Sequence, residues 1–337
     1  MLELNVNSKS PAAITGALKK IKEMISSGSI TKSTPIHIVL EPGHYTESIK
    51  YNLSNPITIE SVPGTKPENC IISSNNCEAF NPGLSNRGVF VIGANATKVN
   101  LKNFSIKNEH EKNGENTISP EDSAEALVWA NATGSLVCSG MIFSGRQNVL
   151  TLKGNTCFIN SKVYGDVNII SGDVDIALFE NCSIKVREDN RGDFEAYVVN
   201  SQALSKGKGF IFADCVFDGE SRKKSMIYVC RTDGKGFAES EKNWDNIALL
   251  NCKISENFSP ELVWDSDMDL EVFPRGNVKS GIREYNTKTF NEKDPTPVEV
   301  DTSRRNIKCY TLTDDDYFKN YASRYLILQD TALEVTN

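Results

Sequence analysis

Phe158-Ile159-Asn160-Ser161-Lys162-Val163 is followed twenty-one residues later by Phe179-Glu180-Asn181-Cys182-Ser183-Ile184. The two texts share one pattern: an apolar residue, then Asn shortly after, a small or sulphur residue, and an apolar position beyond. It recurs as Phe212-Ala213-Asp214-Cys215-Val216-Phe217 and Leu249-Leu250-Asn251-Cys252-Lys253-Ile254. Upstream it reads Leu101-Lys102-Asn103-Phe104-Ser105-Ile106 and Val137-Cys138-Ser139-Gly140-Met141-Ile142. The polar members fall at 103, 139, 160, 181, 214 and 251. A repeat near twenty residues, lengthened in places by inserted loops, marks a solenoid whose units bury their apolar faces by stacking. The runs are short and rich in Val, Ile and Phe, and Gly, Asn, Asp and Ser interrupt them, so they read as strands and turns. Helical repeats would carry a 3.6-residue apolar period over longer stretches, and these do not. The expected fold is all-β: a single-stranded, right-handed parallel β-helix. Stacking would place Cys182, Cys215 and Cys252 in one inward ladder.

Two segments read as helices. Ile14, Ala17, Leu18, Ile21 and Met24 form one apolar stripe, with Ser10 as N-cap and Pro11 in the first turn. This helix is expected to cap the open first coil. Near the other end, Asp314, Asp315 and Asp316 open a second helix, with Phe318, Tyr321, Ala322 and Tyr325 along one face. The chain divides into an N-terminal cap (1–30), solenoid coils (35–290) and a C-terminal tail with its helix (291–337), all as one domain.

Composition excludes several function classes. The net charge of −7 argues against a nucleic-acid backbone as partner. Trp129, Trp244 and Trp264 are too scattered for a base-stacking surface. No apolar run approaches the ~20 residues of a membrane helix. The first residues lack a leader pattern, so the protein either stays in the cytoplasm or has lost a secretory leader. Nine cysteines without a CxxC pair are expected as reduced, packed thiols. The three histidines have no metal-ligand spacing, so neither metal nor other cofactor is expected. A monomer is expected.

The chain resembles the pectin methylesterases, whose fold is the pectin-lyase-like parallel β-helix. The likeness rests on collinear landmarks: Ala13-Ile14-Thr15-Gly16-Ala17-Leu18, then His37 through Glu47 with its Pro42-Gly43-His44-Tyr45-Thr46-Glu47, then Ala96 through Phe104. Glu284-Tyr285, Ser303-Arg304 and Leu312-Thr313 complete the set. The family's Gly-x-Gln-Asp-Thr-Leu appears as Gly145-Arg146-Gln147-Asn148-Val149-Leu150. Its Gly-x-Val-Asp-Phe-Ile-Phe-Gly appears as Gly165-Asp166-Val167-Asn168-Ile169-Ile170-Ser171-Gly172. An upstream family glutamine is Ser123 here, and Leu-Gly-Arg-Pro-Trp becomes Val229-Cys230-Arg231-Thr232-Asp233, with Asp233 at the tryptophan's place.

The resemblance implies a reaction in which one aspartate attacks the methyl-ester carbonyl of a galacturonate. A second aspartate protonates the leaving methanol, and glutamines hold the oxyanion. Asn168 occupies the nucleophile position and Asn148 the acid/base position; a neutral amide does neither task. Gln147 is the retained oxyanion residue, and Arg231 orients the nucleophile position or the substrate. Ser123, at an oxyanion position, Trp264 and Asp233 are the candidate substrate contacts. Losing one oxyanion donor alone costs about 10²–10³ in rate. Asp166, two residues before Asn168, would on a strand face the same side about 6.6 Å away. It either substitutes for the lost carboxylate or is a solvated group at a coil edge. Asp173 and Asp175 read as part of a turn.

The resulting expectation is a pectinesterase-type protein that engages methyl-esterified homogalacturonan or its oligomers, with hydrolysis by the two-aspartate route weak or absent. The alternatives are a galacturonan-binding pseudoenzyme and a carbohydrate esterase with relocated catalytic groups.

Overall fold

The repeats fold as turns joining stacked strands. In a computed structural model, described for residues 1–112, 119–188, 195–201, 207–220, 227–232, 246–265, 276–291 and 293–333, the strands form a 17-stranded and a 10-stranded sheet. Pairing is parallel throughout the described residues except for the last pair, Lys288–Phe290 with Val298–Glu299. The larger sheet runs as two tracts. Leu150–Ile159 and Ile170–Glu180 cross from one to the other, with a register shift at Gly154/Asn155. One tract carries Leu127–Trp129, Ala196–Ser201 and Ile227–Thr232; the other carries Leu2–Val6, Gly209–Ala213 and Ile282–Tyr285. This is the expected parallel β-helix. Asp173 and Asp175 lie within the crossing strand, not in a turn.

The backbone explains the polar member of each repeat. Asn103, Asn160, Asn181, Asp214 and Asn251 all have positive φ, between 49° and 58°. Asn and Asp enter this left-handed region at least cost among residues with a side chain. The second copy sits one residue later than its text suggests. Cys138 pairs with both Leu101 and Phe158, so Gly140 (φ 62°), and not Ser139, makes the turn. A seventh copy, Asn286 (φ 48°), follows Tyr285, which pairs with Leu250.

Inside, the repeats stack like on like. The rings of Phe158 and Phe179 lie 4.6 Å apart and nearly parallel, and Phe212 continues the stack at 4.9 Å. Cys182, Cys215 and Cys252 form the expected ladder, each thiol donating to a carbonyl one coil back: Phe158 O, Phe179 O and Phe212 O at 3.3–3.4 Å. Burial pushes the Cys215 thiol well above its ordinary range, so it packs as a small apolar group.

The first helix, Ala13–Ser26, buries Ile14, Leu18 and Ile21. Its cap differs from expectation. Ala12 is the N-cap residue, with left-handed backbone and no capping side chain. Glu47 caps from a distance instead, accepting from Ile14 N (3.0 Å), Thr15 N (2.9 Å) and Thr15 Oγ1 (2.7 Å). A carboxylate there serves the orphan N–H groups and the helix dipole better than a hydroxyl would. The C-terminal helix is also divided. Asp314–Asn320, held by a capping box between Thr313 and Asp316, ends before Tyr321, and Arg324–Leu328 begins anew. Phe318 and Tyr325 therefore face solvent while Tyr321 is buried. Leu312, Tyr321, Ile327, Leu328 and Leu333 cover an outward apolar face of the second tract formed by Ile176, Leu178, Ile211 and Leu250.

Candidate functional site

Ser123, Gln147 and Val167 form parallel bridges on successive coils. The next residue along is Ala124, Asn148 and Asn168 respectively, so the two asparagines are equivalent positions one coil apart. Both have positive φ, 56° and 47°. The strand reading of this segment fails: Asp166 is in a bend, Val167 makes only an isolated bridge, and Asn168 is left-handed.

The polar groups at this crest bond mostly to one another. Gln147 Nε2 donates to Ser119 O (3.0 Å) and Ser123 Oγ (3.4 Å), and Asn148 Nδ2 donates to the same hydroxyl at 3.1 Å. Ser123, Gln147 and Asn148 are thus brought together. Gln147 Oε1 and Asn168 Oδ1 are buried without a hydrogen-bond partner among the described residues, Asn168 being 7% exposed. Leaving such an acceptor unmet costs about 1–3 kcal/mol, and neither oxygen reaches the surface in this side-chain arrangement.

Asp166 is not solvated: it is 1% exposed, with Lys112 Nζ 2.8 Å from its Oδ1 and Arg146 3.9 Å from its Oδ2. Arg146 is itself held by Glu111 at 2.7 Å. The reason is a long-range one. Lys112, fifty-four residues earlier, reaches the bend at Asp166 from the segment 109–112. Beside it, His110 Nε2 lies 3.0 Å from Asp122 Oδ1, both buried, and Phe80 meets the imidazole edge-on.

Arg231 lies on Ile227–Thr232, paired with Asn200 on one side and Trp264 on the other. Asn200 pairs with Ser171, and Ser171 with Thr151, which gives a continuous polar row across the coils. The Arg231 guanidinium carbon lies 5.4 Å from the centre of the Tyr197 ring. Tyr197 is two residues before the Val199–Ile170 pair and so is level with Asn168. Asp233 and Trp244 lie outside the described residues. Trp264 is placed by its backbone alone, and Trp129 is a core residue.

Two features escaped the sequence reading. Tyr197 and Tyr228 are register partners with rings 6.1 Å apart, continuing the Asn168 row by two coils. Burial, and then Glu195, pushes the Tyr197 hydroxyl up to about 12, against the pull of Arg231. The parallel texts Ala196-Tyr197-Val198-Val199 and Ile227-Tyr228-Val229-Cys230 were the available signal. Glu125, fully buried, accepts both Arg87 Nε (2.8 Å) and NH2 (2.6 Å), and Thr151 Oγ1 reaches it at 3.2 Å. Nothing in the local text announces that partner thirty-eight residues away. Among the described residues no group of three His, Cys, Asp or Glu side chains is placed to hold a metal.

No family model and no curated relative matches this chain. Solved structures do. A pectin methylesterase in complex with a hexasaccharide superposes with a TM-score of 0.68 at 16% identity, over 100% of this chain and 99% of that one. The pectin methylesterase from Erwinia chrysanthemi gives 0.67 at 17% identity, over 98% of each chain. The enzyme from Yersinia enterocolitica gives 0.65 at 16% identity, over 95% of this chain and 99% of the other. From its first strand to its C-terminal tail, this chain has the fold of the pectin methylesterases.

Proposed function

We propose that this protein binds methyl-esterified galacturonan oligomers at the crest formed by Ser123, Gln147, Asn148 and Asn168, without hydrolysing them by a two-aspartate mechanism. The observation that carries the proposal is the state of the amides. Asn168 and Asn148 have no carboxylate to attack an ester or move a proton. The N–H groups of Gln147 are turned to Ser119 O and Ser123 Oγ, so they do not point at a developing oxyanion. What the crest offers is uncharged amides: the Gln147 and Asn168 oxygens are buried without a protein partner among the described residues, and rotation of these side chains would present them to sugar hydroxyls. Arg231, two coils on, supplies a donor for ester or carboxylate oxygens.

A relocated catalytic acid has less support. Asp166 is held in a buried pair by Lys112, and Glu125 is gripped by Arg87 on both oxygens. The test is to measure binding and methanol release together on methyl-esterified oligogalacturonides. Calorimetry is expected to show binding and the natural sequence no methanol above the blank, with Asn148→Asp/Asn168→Asp restoring measurable release. Turnover by the natural sequence, or absence of binding, would overturn the proposal.

A further inference from the structure

Arg283 is 1% exposed, on the strand Ile282–Tyr285. Its Nε donates to the Tyr321 hydroxyl (2.8 Å), NH1 to Asn246 Oδ1 (3.2 Å) and Gly281 O (2.8 Å), and NH2 to Lys208 O (3.2 Å). Every one of these acceptors is neutral. They use four of the guanidinium's five N–H donors. The contrast with two partly buried arginines is sharp. Arg87 grips Glu125 with two nitrogens, and Arg305 grips Glu284 the same way at 2.7 and 3.0 Å. Arg283 has no carboxylate partner among the described residues, and an uncompensated buried charge is strongly disfavoured.

A cleft of about 260 Å³ opens beside it, between the second tract and the C-terminal helices. Lys208, Lys279 and Asp330 line it together with Arg283. Lys208 Nζ donates to Ile327 O (2.8 Å) and Gln329 O (2.6 Å), which leaves one of its three N–H groups. Burial draws the Lys208 ammonium below its ordinary range; Asp330 opposes this and Lys279 adds to it. Three cations thus share one exposed carboxylate.

We infer that this cleft binds a small oxyanion of the carboxylate or phosphate class, neutralising Arg283 and taking the remaining N–H donors of Arg283 and Lys208, with Lys279 closing over it. The site lies on a different tract from Asn168 and does not depend on the galacturonan proposal.

A ligand that binds only the folded state raises its stability, so the melting midpoint is the readout. It is followed against inorganic phosphate and, separately, monomeric galacturonate, with ionic strength held constant by sodium chloride. A saturable rise with one of them is expected, and the one that saturates at the lower concentration identifies the class. Lys279→Glu is expected to weaken that response about tenfold or more, while Lys19→Glu on the exposed side of the first helix leaves it unchanged. No rise beyond chloride with either anion would overturn the assignment. So would a Lys279→Glu response equal to that of Lys19→Glu.

Discussion

Asp214 is the one acid in a column of turn residues otherwise filled by asparagine and Gly140. The amides in that column bond to one another: Asn181 Nδ2 to Asn160 Oδ1 at 2.5 Å, and Asn286 Nδ2 to Asn251 Oδ1 at 2.9 Å. Burial, and then Glu180, pushes the Asp214 carboxyl above its ordinary range, with Asn251 acting the other way. A carboxyl raised in the fold binds its proton more tightly there than in the unfolded chain. Its contribution to stability is therefore greatest at low pH and is lost as pH rises through the raised value. Asp214→Asn is expected to stabilise by roughly 0.5 kcal/mol at about pH 7, discounted for solvent exposure, and by nothing at about pH 3.5; urea unfolding at the two pH values checks this. At Asp166 the expectation is the reverse. Asp166→Asn removes the carboxylate 2.8 Å from the buried Lys112 ammonium and should cost about 3–5 kcal/mol, whereas Asp166→Asn/Lys112→Met recovers most of the loss. Equal stability of the two variants would contradict the buried pair. The positions of Asn148 and Asn168 were legible because register can be counted along a repeat. The Lys112–Asp166 pair was not, because its sequence offset is set by a loop.

At the level of elements, the first helix shows what a local reading supplies and omits. Its stripe of Ile14, Leu18 and Ile21 was legible from spacing alone. Its cap was not, since the eye looks for a serine beside the helix and the carboxylate comes from Glu47, thirty-three residues on from Ile14. Glu47→Ala is expected to cost about 1–2 kcal/mol, with Glu47→Gln costing less because it keeps one acceptor. Hydrogen exchange at the amides of Ile14 and Thr15 should accelerate in the alanine variant; unchanged exchange would show that the cap matters little. The repeat at 137–142 makes a related point. Residue type suggested Ser139 for the turn, but the sign of φ decides, and Gly140 next to it enters that region at no steric cost.

For the whole molecule, the architecture was readable because each coil meets its neighbours at nearly fixed sequence intervals, so like residues recur where they stack. The C-terminal tail has no such interval, and its division into two short helices around Tyr321 followed from tertiary packing. The tail's work is to cover Ile176, Leu178, Ile211 and Leu250 on the outside of the second tract. A chain ending after Thr311 is expected to keep its coils but self-associate through that uncovered face. Size-exclusion chromatography would show species larger than the full chain at equal concentration, and an unchanged elution per unit mass would refute the assignment.

The left-handed backbone at 148 and 168 also limits what sequence change can do there. Branched or bulky substitutions would strain the main chain, so glycine, asparagine and aspartate are the residues that fit each position at least cost. A combinatorial library of those three residues over both sites has nine members, and every member that lacks an acid at one of the two sites is a single codon exchange away from having one there.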